Sequence, residues 1–177
     1  MKTLIIVRHA KSSWANADQP DFERPLNDRG NRDAPEMAKR LLDKKININH
    51  LISSTAKRAM QTCVHFCKVL NIAKEEIQKE EILYHSSSET IHYVVGKINN
   101  KFDIVALFCH NPGITDFVNT LLKKVKIDDM PTCGMFAVKA NITDWKEFYS
   151  AEKEFMFFDY PKPPQSPKGE AGSFSIF

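Results

Sequence analysis

Short runs of apolar residues alternate along the chain with longer segments in which apolar residues recur at helical spacing. Residues 3–7 (TLIIV) and 103–109 (DIVALFC) are continuous and rich in branched side chains, which is typical of strands buried on both faces of a parallel sheet. Weaker strand candidates lie at residues 49–54 and 80–84. The intervening segments predict four helices, at residues 31–45, 54–70, 86–98 and 111–125. This alternation predicts an α/β fold with a mostly parallel central sheet.

Polar residues and prolines indicate where the helices begin. Ser54 or Thr55 would cap the second helix, one of the serines at 86–88 would cap the third, and Pro112 fits the first turn of the fourth.

The carboxyl-terminal part of the chain has a different pattern. Residues 134–140 and 154–160 are strand-like, and we expect them to be neighbours at one edge of the sheet. From Pro161 onward the sequence is rich in proline, glycine and serine. We therefore predict a single domain over residues 1–163, followed by an irregular tail over residues 164–177.

Composition and charge fit this interpretation. The chain has 177 residues, 42% of them hydrophobic and 27% charged, which suits one globular domain. A net charge of +3, spread along the chain, is too weak to indicate nucleic-acid binding. The apolar run near the amino terminus is too short for a signal peptide, and no stretch approaches the length of a membrane span. A soluble, cytoplasmic protein, monomeric by default, is expected.

The cysteines do not form a pattern typical of a metal site. Cys63 and Cys67 are four residues apart and would share a helix face, and no CxxC pair exists. We expect buried free thiols, no zinc and no other cofactor.

Two histidines follow the two strongest strand candidates. His9 lies two residues beyond the strand at 3–7, and His110 directly follows the strand at 103–109. If these strands are parallel, both imidazoles emerge at the same edge of the sheet, where ligands of such sheets bind. Arg8 adds a permanent positive charge beside His9.

Further positive potential is expected at this edge. Arg58 lies in the first turn of the helix after the strand at 49–54, and the helix that starts near Asn111 directs its amides there. Two arginines, two histidines and a helix amino terminus would bind a compact multivalent anion, and a phosphoryl group fits best. A neutral histidine in such a cluster can attack phosphorus while Arg8, Arg58 and His110 hold the phosphoryl oxygens. The arginines would supply the charge that magnesium supplies in kinases, so no metal is needed.

Four motifs, in order, resemble the histidine phosphatase superfamily, the phosphoglycerate-mutase-like proteins. They are RHAKSSW at 8–14, RPLNDRG at 24–30, SSTAKRAMQT at 53–62 and FCHNPGI at 108–114. The superfamily usually has Arg-His-Gly followed by a common glutamate, whereas this chain has Ala10 and Lys11 at those positions. These departures, together with the second motif and the segment from Trp145 to Pro163, resemble the branch of small SixA-like phosphohistidine phosphatases.

The resemblance implies a three-layer sandwich with a mostly parallel central sheet flanked by helices. It also implies that His9 is the nucleophile that accepts the phosphoryl group, and that Arg8, Arg58 and His110 form the phosphate pocket. The backbone amide of Asn111 is expected to contact phosphate. Arg24 is either an accessory anion contact or a surface residue.

Larger members of the superfamily carry an acid that protonates the leaving group, and no residue of this chain can be assigned that role. His85 and Glu89 are candidates, although Glu89 is more typical of an exposed residue in the first turn of a helix. A phosphoramidate such as phosphohistidine is expelled more easily than an alkoxide and needs less help. This favours phosphohistidine of a protein as the substrate.

Two alternatives remain open. One is a phosphatase of small phosphomonoesters with the same fold, which a pocket lined by Trp14 and Tyr84 would favour. The other is a phosphate-binding module without turnover. Neither involves nucleic acid or a membrane.

Overall fold

The computed structural model describes residues 1–161, so the predicted tail at 164–177 and the last two residues of the predicted domain lie outside the described part. Six strands form one sheet in the order β3-β2-β4-β1-β5-β6. The strands are β1 (Lys2–Arg8), β2 (His50–Ser54), β3 (Gln78–Glu80), β4 (Ile104–Cys109), β5 (Met135–Ala140) and β6 (Lys153–Asp159). The α-helices are α1 (Asp28–Asp43), α2 (Lys57–Leu70), α3 (Ser88–Gly96) and α4 (Gly113–Leu121).

The sheet is mostly parallel, as predicted. The pairs β3–β2, β2–β4 and β4–β1 are parallel, whereas the pairs β1–β5 and β5–β6 are antiparallel. The pairing of β1 with β4 runs from Thr3 opposite Ile104 to Arg8 opposite Cys109. The last two strands are neighbours at one edge, which confirms the prediction for the end of the chain.

Helices cover both faces of the sheet because successive side chains of β1 point to opposite sides. Leu4 and Ile6 pack with residues of α3 and α4, whereas Ile5 and Val7 pack with residues of α1 and α2. All four β1 side chains are fully buried. Burying a side chain of this size contributes about 1.5–3 kcal/mol, so β1 is held firmly from both sides. The result is the expected three-layer α/β sandwich.

One predicted strand is misplaced. Residues 80–84 were expected to be extended, but β3 occupies Gln78–Glu80 and residues 81–83 form a 3₁₀ turn. Within residues 1–161, strand β3 pairs with β2 alone, through Ile52, Ser53 and Ser54, and β2 ends there. No ladder partner remains beyond Glu80, so the chain turns instead and buries Leu83 in the core.

The predicted cap of α2 is also wrong. The residue at the capping position is Ala56, which has no side-chain cap, while Ser54 remains in β2. The cap of α3 is a serine as predicted, since the side chain of Ser87 accepts a hydrogen bond from the amide of Thr90. Pro112 precedes α4 as its capping residue instead of lying within its first turn.

Two further expectations concern the cysteines and the membrane. All four cysteines are unpaired and buried, as predicted. Among residues 1–161, no helix combines the length and the apolar character needed to span a membrane.

Candidate active site

The carboxyl ends of β1 and β4 bring two histidines together. His9 and His110 follow these paired strands directly, and their ring centroids are 5.0 Å apart. Both side chains are almost completely buried. The parallel register therefore places two imidazoles, about a hundred residues apart in sequence, in contact at one edge of the sheet.

The hydrogen bonds of His9 define which ring nitrogen carries its proton. Nε2 lies 3.2 Å from Nε of Arg58, and a guanidinium can only donate. Nε2 is therefore the acceptor, and the proton resides on Nδ1, which donates to the carbonyl oxygen of Ala10 at 2.8 Å. Burial lowers the pKa of His9 to about 3, with smaller contributions from the nearby arginines. His9 is thus neutral near pH 7, with its Nε2 lone pair directed toward Arg58.

His110 is held by a neighbouring strand. Its Nε2 lies 2.8 Å from Oγ of Ser54, the last residue of β2. Burial lowers the pKa of His110 to about 2, and the positive charge of Arg58 acts in the same direction. Its Nδ1 is buried and has no hydrogen-bond partner within residues 1–161. An unsatisfied buried polar atom is costly, so this nitrogen is available for a bound ligand.

Arg58 connects His9 to a carboxylate that the sequence did not single out. This buried arginine donates through Nη1 to the backbone oxygen of Asp21 at 2.6 Å and through Nη2 to Oδ2 of Asp21 at 2.9 Å. The hydroxyl of Tyr84 donates to the same Oδ2 at 2.8 Å. Partial burial would raise the pKa of Asp21, but the hydrogen bonds from Tyr84 and Arg24 and the charge of Arg58 lower it to about 2. Asp21 is therefore ionised near pH 7.

Arg24 is buried, so the surface alternative for this residue is wrong. Its guanidinium donates to the backbone oxygen of Ser13, the hydroxyl of Ser12 and Oδ1 of Asp21, at 2.7–2.9 Å. It also lies 3.2 Å from the ring centroid of Trp14, whose side chain is otherwise exposed. These contacts lock the loop after β1 around Asp21.

Arg8 contacts a second carboxylate, that of Asp129. Its Nη1 donates to Oδ2 of Asp129 at 3.1 Å and to the backbone oxygen of Met130 at 2.5 Å, while its Nε is buried without a partner in the described chain. Asn111 also reaches Asp129, through its side-chain Nδ2 at 2.5 Å. Asp129 itself is 67% exposed.

Both candidate arginines are therefore neutralised by carboxylates, Arg8 by Asp129 and Arg58 by Asp21. In each pair the carboxylate is more exposed than the arginine, and Asp129 is the more exposed of the two acids, so an incoming anion can replace it on Arg8. Glu89 is exposed in the first turn of α3, and His85 lies 3.9 Å from Asp21. Across residues 1–161, no group of three or more His, Cys, Asp or Glu side chains is arranged to hold a metal ion.

The chain is similar in sequence to one protein family and similar in fold to several solved structures. The sequence model of the histidine phosphatase superfamily (branch 1) matches residues 4–84, which include His9, Asp21 and Arg58. No curated protein sequence matches the chain.

Solved structures match nearly the whole described chain. SixA from Agrobacterium tumefaciens is 23% identical, with 90% of this chain and 99% of that chain covered and a TM-score of 0.74. The protein histidine phosphatase SixA complexed with tungstate is 21% identical, with 89% and 96% covered and a TM-score of 0.75. A mycobacterial glucosyl-3-phosphoglycerate phosphatase is 13% identical, with 91% and 100% covered and a TM-score of 0.70.

At these identities the structural likeness is one of fold. The six-stranded sheet with its flanking helices is the phosphoglycerate-mutase-like architecture shared with these structures. The match of residues 4–84 to the family model, the motifs in their expected order and this fold together make the chain similar to the histidine phosphatase superfamily, and to the SixA structures in particular.

Proposed function

We propose that this protein is a phosphatase that transfers a phosphoryl group first to His9 and then to water. The observation that carries the proposal is the state of His9. Its ring is neutral, its proton is held on Nδ1 by the carbonyl oxygen of Ala10, its Nε2 accepts a hydrogen bond from Arg58, and its ring centroid lies 5.0 Å from that of His110. A neutral imidazole with an available nitrogen and nearby cations is a competent nucleophile toward phosphorus.

The reaction has two displacements. In the first, Nε2 of His9 forms a bond to phosphorus while the bond to the leaving group breaks and its electron pair departs with that group. The proton on Nδ1 stays in place, and its hydrogen bond to Ala10 stabilises the positive charge of the phosphorylated ring. In the second, water attacks phosphorus, the bond to Nε2 breaks, and inorganic phosphate and neutral His9 remain.

Arg8, Arg58 and His110 would stabilise the transferring phosphoryl group. An incoming phosphoryl group would take the place of Asp129 on Arg8 and of Nε2 of His9 on Nε of Arg58. Nε of Arg8 and Nδ1 of His110, which have no partner within residues 1–161, would donate to the phosphoryl oxygens. Losing one such contact to a transition state costs about 3 kcal/mol, or roughly a hundredfold in rate.

The remaining candidate residues, Arg24 and Asn111, have supporting roles in the proposed reaction. Arg24 positions Asp21, since its guanidinium nitrogens already bind protein oxygens. Asn111 begins the turn into α4 beside His110, where its backbone amide would contact phosphate.

A phosphohistidine side chain of another protein is the proposed substrate. Asp21 has a pKa of about 2 and so carries no proton to give to an alkoxide near pH 7. Glu89 is exposed, and a hydrogen bond from Ser87 lowers its pKa. A leaving imidazole needs less proton donation than an alkoxide. The folds of the SixA proteins agree with this choice.

A small phosphomonoester is the second candidate substrate. It is favoured by the fold shared with the mycobacterial glucosyl-3-phosphoglycerate phosphatase and by two aromatic residues beside the cluster. Trp14 is 75% exposed, and the ring of Tyr84 lies 5.7 Å from that of His110.

The decisive experiment compares His9→Ala with wild type on a phosphohistidine peptide, free phosphohistidine and common phosphomonoesters. We expect wild type to form an acid-labile phosphoprotein and to turn over the peptide fastest. His9→Ala should lose labelling and turnover while remaining folded. His65→Ala, at a half-buried histidine of α2 bonded to Asn31, is the matched control and should behave as wild type.

Three outcomes separate the candidate functions. Hydrolysis retained in His9→Ala would rule out the covalent mechanism. Faster turnover of a phosphomonoester than of the peptide would support the second candidate. Binding of phosphopeptide without labelling or turnover would indicate a phosphate-binding module.

A further inference from the structure

We propose that Asp21 and Tyr84 form the binding site for the imidazole ring of a phosphohistidine substrate. In this arrangement the carboxylate of Asp21 accepts a hydrogen bond from the ring nitrogen that does not carry phosphorus, and the ring of Tyr84 packs against the imidazole. The inference rests on the proposed function and identifies the residues that select its substrate.

The position of Asp21 is fixed and close to the reacting nitrogen. Oδ2 accepts from Arg58 and Tyr84, and Oδ1 accepts from Arg24. A carboxylate has about four lone-pair positions, so roughly one remains for a ligand. The Asp21 side chain is 41% exposed, which leaves that position accessible. Arg58 contacts Asp21 and Nε2 of His9 at once, so a single guanidinium separates this carboxylate from the nucleophile.

An imidazole already lies beside this carboxylate. Nε2 of His85 is 3.9 Å from Oδ2 of Asp21, which is too long for a hydrogen bond. The His85 ring is 4.0 Å from the ring of Tyr84 at an interplanar angle of 50°. The geometry shows that an imidazole fits against both groups.

His85 is placed so that it can leave this position. Its side chain is 64% exposed, and its backbone has a φ of 53°, a left-handed conformation that residues other than glycine rarely adopt. Such conformations cluster at functional sites. A substrate imidazole can therefore occupy the space beside Tyr84 after His85 rotates into solvent.

The carboxylate would assist the first displacement. The ionised Asp21 would keep the phosphohistidine ring protonated at its distal nitrogen, and the protonated ring is a better leaving group than the unprotonated one. When Nε2 of His9 bonds to phosphorus, the bond from phosphorus to the substrate ring breaks and its electron pair returns to that ring. The ring then leaves as neutral imidazole because the distal proton is retained. No separate proton donor is required, which agrees with the absence of an assignable acid.

The same carboxylate would discriminate against other phosphorylated compounds. A phosphomonoester has no ring nitrogen that can donate to Asp21, and additional negative groups of a sugar phosphate would be repelled by it. Phosphoramidate has a phosphorus–nitrogen bond but no imidazole. It therefore provides a probe that uses the same nucleophile without the recognised ring.

The test measures kcat/KM for a phosphohistidine peptide and for phosphoramidate in wild type and in Asp21→Asn. We expect the ratio of the two values to fall about tenfold or more in Asp21→Asn, because a charge-assisted hydrogen bond is lost with the peptide only. Tyr84→Leu should also lower the ratio, whereas Tyr84→Phe, which keeps the ring, should lower it less. An unchanged ratio in both Asp21→Asn and Tyr84→Leu would overturn the proposal.

Asp129→Asn is the matched control. It removes a comparable carboxylate from Arg8 on the other side of the cluster, so it should change both kcat/KM values by the same factor. If Asp21→Asn does not fold, Tyr84→Leu alone decides the matter, since an unchanged ratio there contradicts the stacking. Failure of the proposed function is distinct, because wild type would then form no phosphoprotein from either compound.

Discussion

At the scale of single residues, the candidate site depends on hydrogen bonds that orient two neutral rings. Ala10 fixes the proton of His9, and Ser54 contacts Nε2 of His110 from the neighbouring strand. Without its hydrogen-bond partner, either ring would lose the contact that holds it in the orientation needed at the phosphoryl position. The serine at the end of β2 therefore belongs to the machinery that positions His110.

Replacement of Ser54 by alanine tests this positioning. We expect kcat to fall roughly fivefold with a smaller change in KM, since the loss of one hydrogen bond costs about 1 kcal/mol. Ser53→Ala is the control, because Ser53 is equally buried but its hydroxyl donates to the backbone of Ser54. Steady-state kinetics on the phosphohistidine peptide give both constants. Wild-type kcat in Ser54→Ala would show that His110 is oriented by other contacts.

The sequence indicated the cationic residues of the site but not the acidic ones. His9 and His110 could be predicted because each follows an apolar strand, and strand ends meet at one edge of a parallel sheet. Asp21 lies in a one-turn 3₁₀ helix and Asp129 in an irregular segment, and neither has a periodic pattern, so only the packed structure reveals their contacts with Arg58 and Arg8. The only sequence signal for Asp21 is its position three residues before Arg24.

At the scale of secondary structure elements, α4 is pressed against the segment that precedes α3. A Cβ atom added at Gly113 would lie 1.9 Å from the backbone oxygen of Ser86, closer than any real contact. This approach fixes the start of α4, and hence the end of the turn that carries His110, against the loop that contains His85. Glycine is therefore required at position 113, because a larger residue would place its Cβ against the backbone oxygen of Ser86.

We expect Gly113→Ala to destabilise the protein and to reduce activity together. Overpacking of this kind typically costs about 1–3 kcal/mol, and the backbone shift would move His110. Gly96→Ala is the matched control, since nothing lies within 4 Å of a Cβ at Gly96 near the end of α3. It should leave activity unchanged and stabilise by up to about 1 kcal/mol. Urea unfolding measures the stability of both variants, and steady-state kinetics measure their activity. Equal stabilities of the two variants would contradict the packing argument.

Element type was more predictable than element boundaries. The buried strands β1 and β4 have an unmistakable apolar pattern, and both lie where the sequence predicts them. The segment at 80–84 also looked extended, but a strand needs a partner, and β2 ends at Ser54. Strand length at this edge is thus set by a neighbouring strand that is distant in sequence, and local pattern cannot reveal it.

At the scale of the whole molecule, the buried histidines couple folding to pH. The pKa of His9 is lowered to about 3 and that of His110 to about 2, both chiefly by burial. An unfolded histidine has a pKa near 6.5, so between these values the unfolded chain binds protons that the folded chain does not. The stabilisation is therefore complete above pH 6.5 and is lost progressively as the pH falls.

We expect the free energy of unfolding to decrease between pH 6.5 and pH 4. Each such histidine contributes a slope of up to about 1.4 kcal/mol per pH unit. His9→Gln should show a shallower dependence than wild type in urea unfolding at several pH values. The pKa of Asp21 is lowered to about 2, so this residue makes stability depend on pH only below about pH 4. It therefore does not contribute to the slope between pH 6.5 and pH 4. A slope unchanged by the substitution would show that His9 protonates freely in the folded state.

Two buried thiols lie next to the site, and their reactivity reports local opening of the structure around it. Cys109 directly precedes His110, and the backbone amide of Cys133 donates to the carbonyl oxygens of Arg8 and His9. Both side chains are fully buried, and burial raises the pKa of Cys109 to about 12. Thiol reagents attack the ionised form, so these cysteines react only when the surrounding structure opens. Their alkylation rate therefore measures how often the ends of β1 and β4 separate in the native protein, without any introduced label.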